Sequence, residues 1–419
     1  MQTDQLLMTF LAGVLLLGAL AFFLGRAKAV RARAGGAHMH SQPDQYAWFA
    51  VLSAAGPAVI SAFLAAILLG LFENAFPGWL AAAGALGLGA FGLFLGLSRI
   101  RPELRARDSL ERAVKWALLG AASISVLATF GILFSILFEA IRFFQMESFW
   151  YFITGTNWAP GDSFLESAGR AEANEGPSGN FGALPLFAGT FMITAIAMLV
   201  AVPIGVLAAI YMAEYAPARV RDVAKPVLEV LAGIPTVVYG FFAAITVAPL
   251  VVSAANSVGL EVSFNNALAP GIVMGIMIIP FISSLSDDVI SSVPTAMREG
   301  SLALGTTRHE TIRHVVLPAA LPGIVSATLL GVSRALGETM IVVMAAGMRP
   351  NLTANPLEDM TTVTVSIVAS LTGDNEFESA ATLSAFALGL ALFVVTLVLN
   401  FASVVMIRRF REKYAVNSL

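Results

Sequence analysis

The stretch MREGSLALG, Met297–Gly305, is a short polar segment between two long apolar runs of the chain. It is followed by LPAALPGI, Leu317–Ile324, whose prolines open the second of those runs. The small residues in its middle and its Leu-Gly end predict a short helix, because glycine favours helix termination. A polar helix between apolar runs is expected to lie across the membrane surface, where it can dock another protein.

The composition indicates a protein that crosses the membrane many times. Of 419 residues, 58% are hydrophobic and 12% are charged, with a mean hydropathy of +0.82. Soluble domains carry roughly 25% charged residues. The net charge of -3 does not favour nucleic-acid binding. The chain has no cysteine, which excludes disulfides and thiolate metal sites.

The apolar runs predict an all-α polytopic membrane protein. Nine runs are long enough to cross a hydrocarbon core, which takes about 20 helical residues. They are Leu6–Leu24, Ala47–Leu71, Trp79–Leu97, Trp116–Ala140, Leu184–Met212, Val227–Val252, Leu268–Leu285, Leu321–Gly347 and Thr382–Met406.

The distribution of basic residues predicts the orientation of these spans. No basic residue precedes the first run, whereas Arg26 and Lys28 follow it, so the run is a permanent span with the N-terminus outside and not a cleaved signal peptide. The external segments then hold only Arg142, Arg170 and Arg349. All other basic residues except Arg334 are internal, as the positive-inside rule requires, and the C-terminus is inside.

The chain is expected to have four parts. Residues 1–110 form an N-terminal extension of three spans, and residues 111–183 form the first core span with a large external loop. Residues 184–407 form the main permease domain, and residues 408–419 form a basic internal tail. The external loops 142–183 and 348–381 serve either as solvated connectors or as a landing surface for an external partner.

Several catalytic and metal motifs are missing or malformed. None of the four lysines follows a glycine, so there is no phosphate-binding P-loop, and ATP hydrolysis is expected in a partner. His309, Glu310 and His314 resemble a zinc signature, but the histidines are five positions apart and do not share a helix face. The chain is therefore predicted to be no enzyme and to hold no metal or cofactor of its own.

The segment that starts at Pro294 has the features of an amphipathic helix. Pro294 is suited to open it and Gly305 to end it. The segment resembles the EAA loop of ABC importer permeases, with Gly300-Ser301 where that pattern has two alanines. The resemblance implies that this helix couples the chain to an ATPase subunit. The residues assigned to coupling are Arg298, Glu299, Gly300, Ser301, Leu304 and Gly305. An ordinary amphipathic connector is the alternative.

Arg334 and Glu338 are charged residues inside the eighth apolar run. At 1.5 Å per residue, Arg334 lies ~20 Å beyond Leu321, where a charge costs roughly 2.5–3.5 kcal/mol. In a continuous helix Glu338 lies on the same face as Arg334 and neutralises its charge in part. We expect either a guanidinium that binds an anion in a pathway or an ion pair that orients helix packing.

Three segments resemble phosphate ABC transporter permeases of the PstC/PstA type. They are Tyr211–Tyr215, Leu231–Gly240 and Arg334–Met340, and the likeness covers about residues 111–407 and favours the C subunit. It implies a six-span type I importer core, with Arg334 and Glu338 in the passage of phosphate. The implied partners are an ATP-binding subunit carrying ATP and Mg²⁺, a second permease and a periplasmic phosphate-binding protein.

The sequence therefore predicts a permease subunit of an ATP-driven phosphate importer in the bacterial inner membrane. A permease for sulfate or molybdate and a proton-coupled anion transporter that uses Glu338 are the alternatives. A membrane scaffold without transport activity is a third.

Overall fold

The computed structural model describes residues 3–36, 39–71, 77–160, 180–372 and 378–415, and it divides into two compact units, Met1–Phe130 and Gly131–Leu419. Part of the predicted external loop 142–183 and the end of the basic tail lie outside the described residues. The predicted boundary at residue 110 stays a prediction, because no observation bears on it directly.

Three mutually packed helices dominate the first unit. They are α1 (Thr3–Ala34), α2 (Pro43–Leu71) and α3 (Gly78–Arg99), followed by the start of α4 (Ala106–Met146). Tyr46 is fully buried in their core, and its hydroxyl donates to the carbonyl oxygen of Leu104 at 2.8 Å. This hydrogen bond ties α2 to the segment that leads into α4.

In its described residues the second unit is also mainly helical, and it contains one small hairpin formed by β1 (Trp158–Ala159) and β2 (Asn180–Phe181). Its longer helices are α6 (Leu184–Ile210), α7 (Ala218–Ala232), α10 (Leu268–Ser291), α13 (Leu317–Leu336) and α16 (Ala380–Ala415). The shorter ones are α5 (Phe149–Thr154), α8 (Thr236–Phe242), α9 (Ala248–Ser257), α11 (Thr295–Ala303), α12 (Arg308–Thr311), α14 (Met340–Ala345) and α15 (Val363–Leu371).

Three π-helical segments interrupt or extend these helices, at Tyr211–Tyr215, Ala243–Val247 and Ile312–Val316. π-Helical insertions are rare in proteins, but those that occur are often found at functional sites. The first extends α6, and the third joins α12 to α13.

The predicted membrane-spanning helices are confirmed in number. Within the described residues, nine helices are long and apolar enough to cross a membrane. They are Met8–Ala34, Pro43–Leu69, Gly78–Arg99, Ala106–Met146, Leu184–Tyr215, Thr236–Ser257, Leu268–Ser291, Arg308–Leu336 and Ala380–Met406. Their orientation in the membrane stays a prediction.

Two predicted spans cross a break in the helix. The sixth was expected from Val227, but residues up to Ala232 belong to α7, none of whose residues is buried, and the span starts at Thr236. The sequence Gly233-Ile234-Pro235 explains the break, since proline disfavours helical geometry in the residue before it. The eighth was expected to reach Gly347, but its helix ends at Leu336.

The core of the second unit forms where α6 packs against α10. Gly275 of α10 permits this close approach, since a Cβ there would lie 2.8 Å from Cβ of Val200 and 2.9 Å from the carbonyl oxygen of Ala197. Small residues at such contacts let membrane helices pack backbone against backbone.

We expect Gly275→Val to destabilise the second unit by about 1–3 kcal/mol, the usual cost of overpacking a core. The measurement is the melting temperature and elution profile of the purified protein. Gly389→Val is the matched control, because a Cβ at Gly389 meets no atom within 4 Å. Equal stability of the two variants would contradict the packing of α6 on α10.

Candidate functional site

The predicted surface helix is present as α11, Thr295–Ala303, which we call the docking helix. Pro294 occupies its N-cap position, and Gly305 follows its end with a φ of 88°. That left-handed conformation suits glycine, because it has no Cβ to collide with the backbone. The predicted limits of the helix are therefore confirmed.

One face of the docking helix is exposed. Glu299 and Gly300 are exposed, and a Cβ added at Gly300 would meet no atom within 4 Å. Leu302 is 48% exposed and Leu304 is 87% exposed. An apolar and acidic surface of this kind, on a short helix, has the composition of a protein contact.

The opposite face is fixed by Arg298, whose guanidinium bonds to two helix ends at once. Nε and Nη2 donate to Oε1 of Glu214 at 3.1 and 3.0 Å. Nη2 also donates to the carbonyl oxygen of Ile290 at 2.6 Å, and Nη1 donates to that of Val293. Glu214 lies in the π-helical extension of α6, and Ile290 lies in the last turn of α10.

Arg308, just after the docking helix, reaches the same π-helical segment. Its Nη2 donates to the backbone carbonyl oxygen of Glu214. Its guanidinium carbon also lies 5.5 Å from the centre of the Tyr215 ring, a cation–π contact. Two arginines, one in the docking helix and one in α12, thus bind the π-helical segment that extends α6.

Ser301 also faces inward and belongs to a ring of three hydroxyls. Its Oγ lies 2.8 Å from Oγ1 of Thr306 and 3.1 Å from Oγ1 of Thr311, and the two threonine oxygens are 2.9 Å apart. Because the Thr306 hydroxyl donates to the carbonyl oxygen of Ser301, it accepts within the ring. Serine in place of the second alanine of the EAA pattern therefore has a structural role.

The predicted ion pair between Arg334 and Glu338 does not form, and we correct that expectation. The helix that holds Arg334 ends at Leu336, so the two residues do not share a helix face. Among the ion pairs of the described residues, none joins them. We call the non-helical residues Gly337–Thr339 the helix break.

Each member of the predicted pair instead has its own partner. Oε1 of Glu338 accepts hydrogen bonds from the backbone N–H groups of Met340 at 3.1 Å and Ile341 at 3.4 Å, which caps the start of α14. The exposed Arg334 guanidinium lies 5.8 Å from the centre of the Phe281 ring on α10. Thr364 donates to the carbonyl oxygen of Glu338 at 2.9 Å, which ties α15 to the helix break.

A second buried charge was not anticipated. Asp287 on α10 is fully buried, and it accepts hydrogen bonds from Arg221 at 3.1 Å and from Lys225 at 3.3 Å, both on α7. Lys225 also donates to Asp288 at 2.9 Å, and this hydrogen bond is the largest cause of the raised pKa of Lys225. These pairs fix the surface helix α7 to the end of α10.

Two signals in the sequence point to the missed residues. Glu214 is a lone acid at the end of an apolar run, and Asp287-Asp288 ends another such run. Arg221 and Lys225 are spaced for one helix face. The spacing does not show which acid meets which base, since the partners are far apart in sequence.

A partly buried carboxylate, Asp359, lies in the segment after α14. Its Oδ1 has no hydrogen-bond partner among the described residues. Burial raises the pKa of Asp359, while the charge and the backbone N–H of Arg349 act in the opposite direction. Gly347 packs directly against this carboxylate, so that a Cβ there would collide with Oδ1.

Residues beside Asp359 are bonded to the start of α10. The backbone N–H of Ala267 donates to the carbonyl oxygen of Glu358 at 3.1 Å, and that of Leu268 donates to Pro356 at 2.9 Å. The segment is thus fixed to the core. In the described part of the chain, no group of three or more His, Asp or Glu side chains is placed to hold a metal ion.

Comparison with known proteins gives two family matches. Residues 201–412 match the family described as "Binding-protein-dependent transport system inner membrane component". Residues 11–76 match a family described as "Phosphate ATP-binding cassette transporter". The second match covers part of the N-terminal extension.

Two curated relatives resemble the chain over most of their own length. "Phosphate transport system permease protein PstC 1" of Mycobacterium tuberculosis is 35% identical over 314 residues, which cover 71% of this chain and 93% of the relative. "Probable ABC transporter permease protein YqgH" of Bacillus subtilis is 36% identical over 257 residues, covering 61% and 76%. A solved bacterial ABC transporter for alginate import aligns with a TM-score of 0.47 and 17% identity, over 73% of this chain and 99% of that chain.

The helical fold and these matches define a permease subunit of the binding-protein-dependent ABC importers. The chain belongs to that family, and within it to the PstC-type permeases. This membership confirms the prediction of a multi-pass transport subunit that is not itself an enzyme. The family implies an ATP-binding subunit and a substrate-binding protein as partners.

We expect Asp359→Asn to raise the free energy of unfolding at neutral pH by up to about 1 kcal/mol, because it removes a partly buried charge that burial disfavours. A raised folded-state pKa means that ionisation of Asp359 destabilises the fold as pH rises above the unfolded pKa of about 3.9. The gain in melting temperature should therefore shrink as the pH is lowered towards that value. Glu261→Gln, at an exposed carboxylate, is the control. A gain that is independent of pH would contradict this account.

Proposed function

We propose that the chain is one permease subunit of an ATP-driven importer of inorganic phosphate in the bacterial inner membrane. It pairs with a second, similar permease, and the two form the translocation pathway. A periplasmic phosphate-binding protein delivers the substrate to the outer face, and two ATP-binding subunits bind the inner face. The observation that carries the proposal is the docking helix, which is fixed from within and free on its outer face.

The free face of the docking helix supports contact with an ATPase subunit. Leu304 is 87% exposed, and Glu299 and Gly300 beside it are exposed as well. Each Å² of apolar surface left in water costs roughly 25 cal/mol. A groove on a partner that covered this leucine would therefore be favourable. The small Gly300 lets a groove wall approach the helix backbone closely.

The helix break supports passage of an anion. Irregular backbone inside a membrane is tolerated where it is buried in protein or lines a water-filled cavity. Arg334 lies in the last turn before the break and is exposed on this chain. A guanidinium is always charged and offers a planar fork of donors that matches phosphate oxygens.

Substrate identity is supported by the relatives. The Mycobacterium tuberculosis protein is named as a phosphate transport permease, and the chain covers 93% of it. Arg334 and the break are compatible with other tetrahedral oxyanions, so sulfate and molybdate are the competitors to test.

The proposed mechanism assigns ATP and Mg²⁺ to the partner subunits, and the chain is proposed to hold no cofactor of its own. Closure of the ATP-binding subunits would displace the docking helix, and this would open the pathway to one side of the membrane at a time.

We expect Gly300→Glu to release the ATP-binding subunit, because a bulky charge at this exposed position obstructs the groove. The measurement is co-purification of that subunit with the tagged permease from detergent. Gly300→Ala is the matched control and should retain it, since the added Cβ meets no atom of this chain within 4 Å. Undiminished co-purification of Gly300→Glu would contradict the docking assignment.

We expect Arg334→Gln to reduce phosphate uptake by at least about 100-fold, since a lost charged contact costs about 3 kcal/mol when the anion is desolvated. The measurement is radiolabelled phosphate uptake into proteoliposomes that hold the complete importer, with unlabelled sulfate and molybdate as competitors. Arg219→Gln, at an exposed arginine of α7, should leave uptake unchanged. Normal uptake by an assembled Arg334→Gln complex would reduce Arg334 to a packing role. Inhibition of phosphate uptake by unlabelled sulfate would instead indicate that the pathway carries another oxyanion.

A further inference from the structure

We infer that the Glu214–Arg298 pair transmits movement of the docking helix to the membrane-spanning helices. The pair is then needed to couple ATP hydrolysis to transport, and not to bind the ATPase subunit. This rests on the proposed function, because it takes the docking helix to be the contact with the ATPase. Glu214 is a positioning residue on this view. It acts through Arg298 and need not touch either the ATPase or the substrate.

The first support is that one side chain joins three helices. Arg298 belongs to the docking helix, its carboxylate partner Glu214 extends α6, and its carbonyl partner Ile290 ends α10. The distances to Glu214 are 3.1 and 3.0 Å, and the distance to Ile290 is 2.6 Å. Displacement of the docking helix must therefore displace both helix ends or break these hydrogen bonds.

The second support is burial. The Arg298 side chain is 20% exposed and that of Glu214 is 9% exposed, so water competes little for their hydrogen bonds. Removing one partner of such a pair leaves the other charge buried and uncompensated. The pair is therefore expected to stay closed while the docking helix moves.

The third support is the form of α6 at this point. Glu214 lies in the π-helical segment Tyr211–Tyr215, and Arg308 binds the same segment through the backbone carbonyl of Glu214. The segment is therefore bound twice, by the docking helix through Arg298 and by α12 through Arg308. It directly follows α6, which packs against α10 in the core.

The fourth support is that the two faces of the docking helix are separate. Glu299, Gly300 and Leu304 are exposed, whereas Arg298 and Ser301 point into the chain. A change at Glu214 alters only the inner face. It should leave the surface offered to the ATPase intact.

The test compares Glu214→Gln and Arg298→Lys in the complete importer. Lysine keeps the positive charge of Arg298 but lacks the planar fork that reaches carboxylate and carbonyls together. Co-purification of the ATP-binding subunit, melting temperature, ATP hydrolysis and phosphate uptake are measured on the same proteoliposome preparations.

We expect both variants to retain the ATP-binding subunit and to continue hydrolysing ATP. Phosphate transported per ATP hydrolysed should fall by about tenfold, within the range usual for coupling between distant sites. The double variant should lose no more than either single variant, since both changes break the same connection. Glu229→Gln, at an exposed glutamate of α7, should leave the ratio unchanged.

Three results would overturn the inference. An unchanged transport ratio in both variants would show that the pair does not transmit movement. Loss of the ATP-binding subunit from folded variants would assign the pair to docking, and failure of both variants to assemble would assign it to folding alone. Failure of the unmodified complex to bind the ATPase or to take up phosphate would instead contradict the proposed function.

Discussion

Backbone polar groups at the ends of helices need partners, and this constraint explains the positions of two charged residues, Arg298 and Glu338. Arg298 donates to the carbonyl oxygens of Ile290, in the last turn of α10, and of Val293, just after it. At the helix break, Glu338 accepts from N–H groups at the start of α14. Arg298 and Glu338, which the resemblance assigns to coupling and transport, thus also satisfy backbone groups at helix ends.

The positions of the spans were predictable because length and hydropathy suffice to define a membrane helix. Their limits were wrong where glycine interrupts an apolar stretch, at Gly233 before Pro235 and at Gly337, because hydropathy does not register a change of backbone direction. The expected contact between Arg334 and Glu338 failed for the same reason, since helical spacing predicts a contact only within a continuous helix. The true partners of the charged residues are remote, with Arg298 and Glu214 separated by 84 positions and Arg221 and Asp287 by 66.

The docking helix shows the limit of a motif as a guide to mechanism. The ends of the helix were predicted from Pro294 and Gly305. The resemblance to the EAA loop assigned a single role, coupling, to all of its residues. In the structure these residues point in two directions. Arg298 and Ser301 form hydrogen bonds within the chain, whereas Glu299 and Gly300 are exposed. Direction depends on how the helix is placed on α6 and α10, which the local sequence does not determine. The hydroxyl of Ser301 also accounts for the departure from alanine in the EAA pattern.

The ring formed by Ser301, Thr306 and Thr311 has a consequence for how such importers diverge. Each hydroxyl in the ring is satisfied by another member or by the carbonyl of Ser301, so this part of the attachment uses no residue of the outer face. Substitutions on the outer face can therefore accumulate without loosening the helix from its own subunit. In a permease built in this way, the surface offered to a partner and the attachment of the helix depend on different side chains, so that one can change without the other.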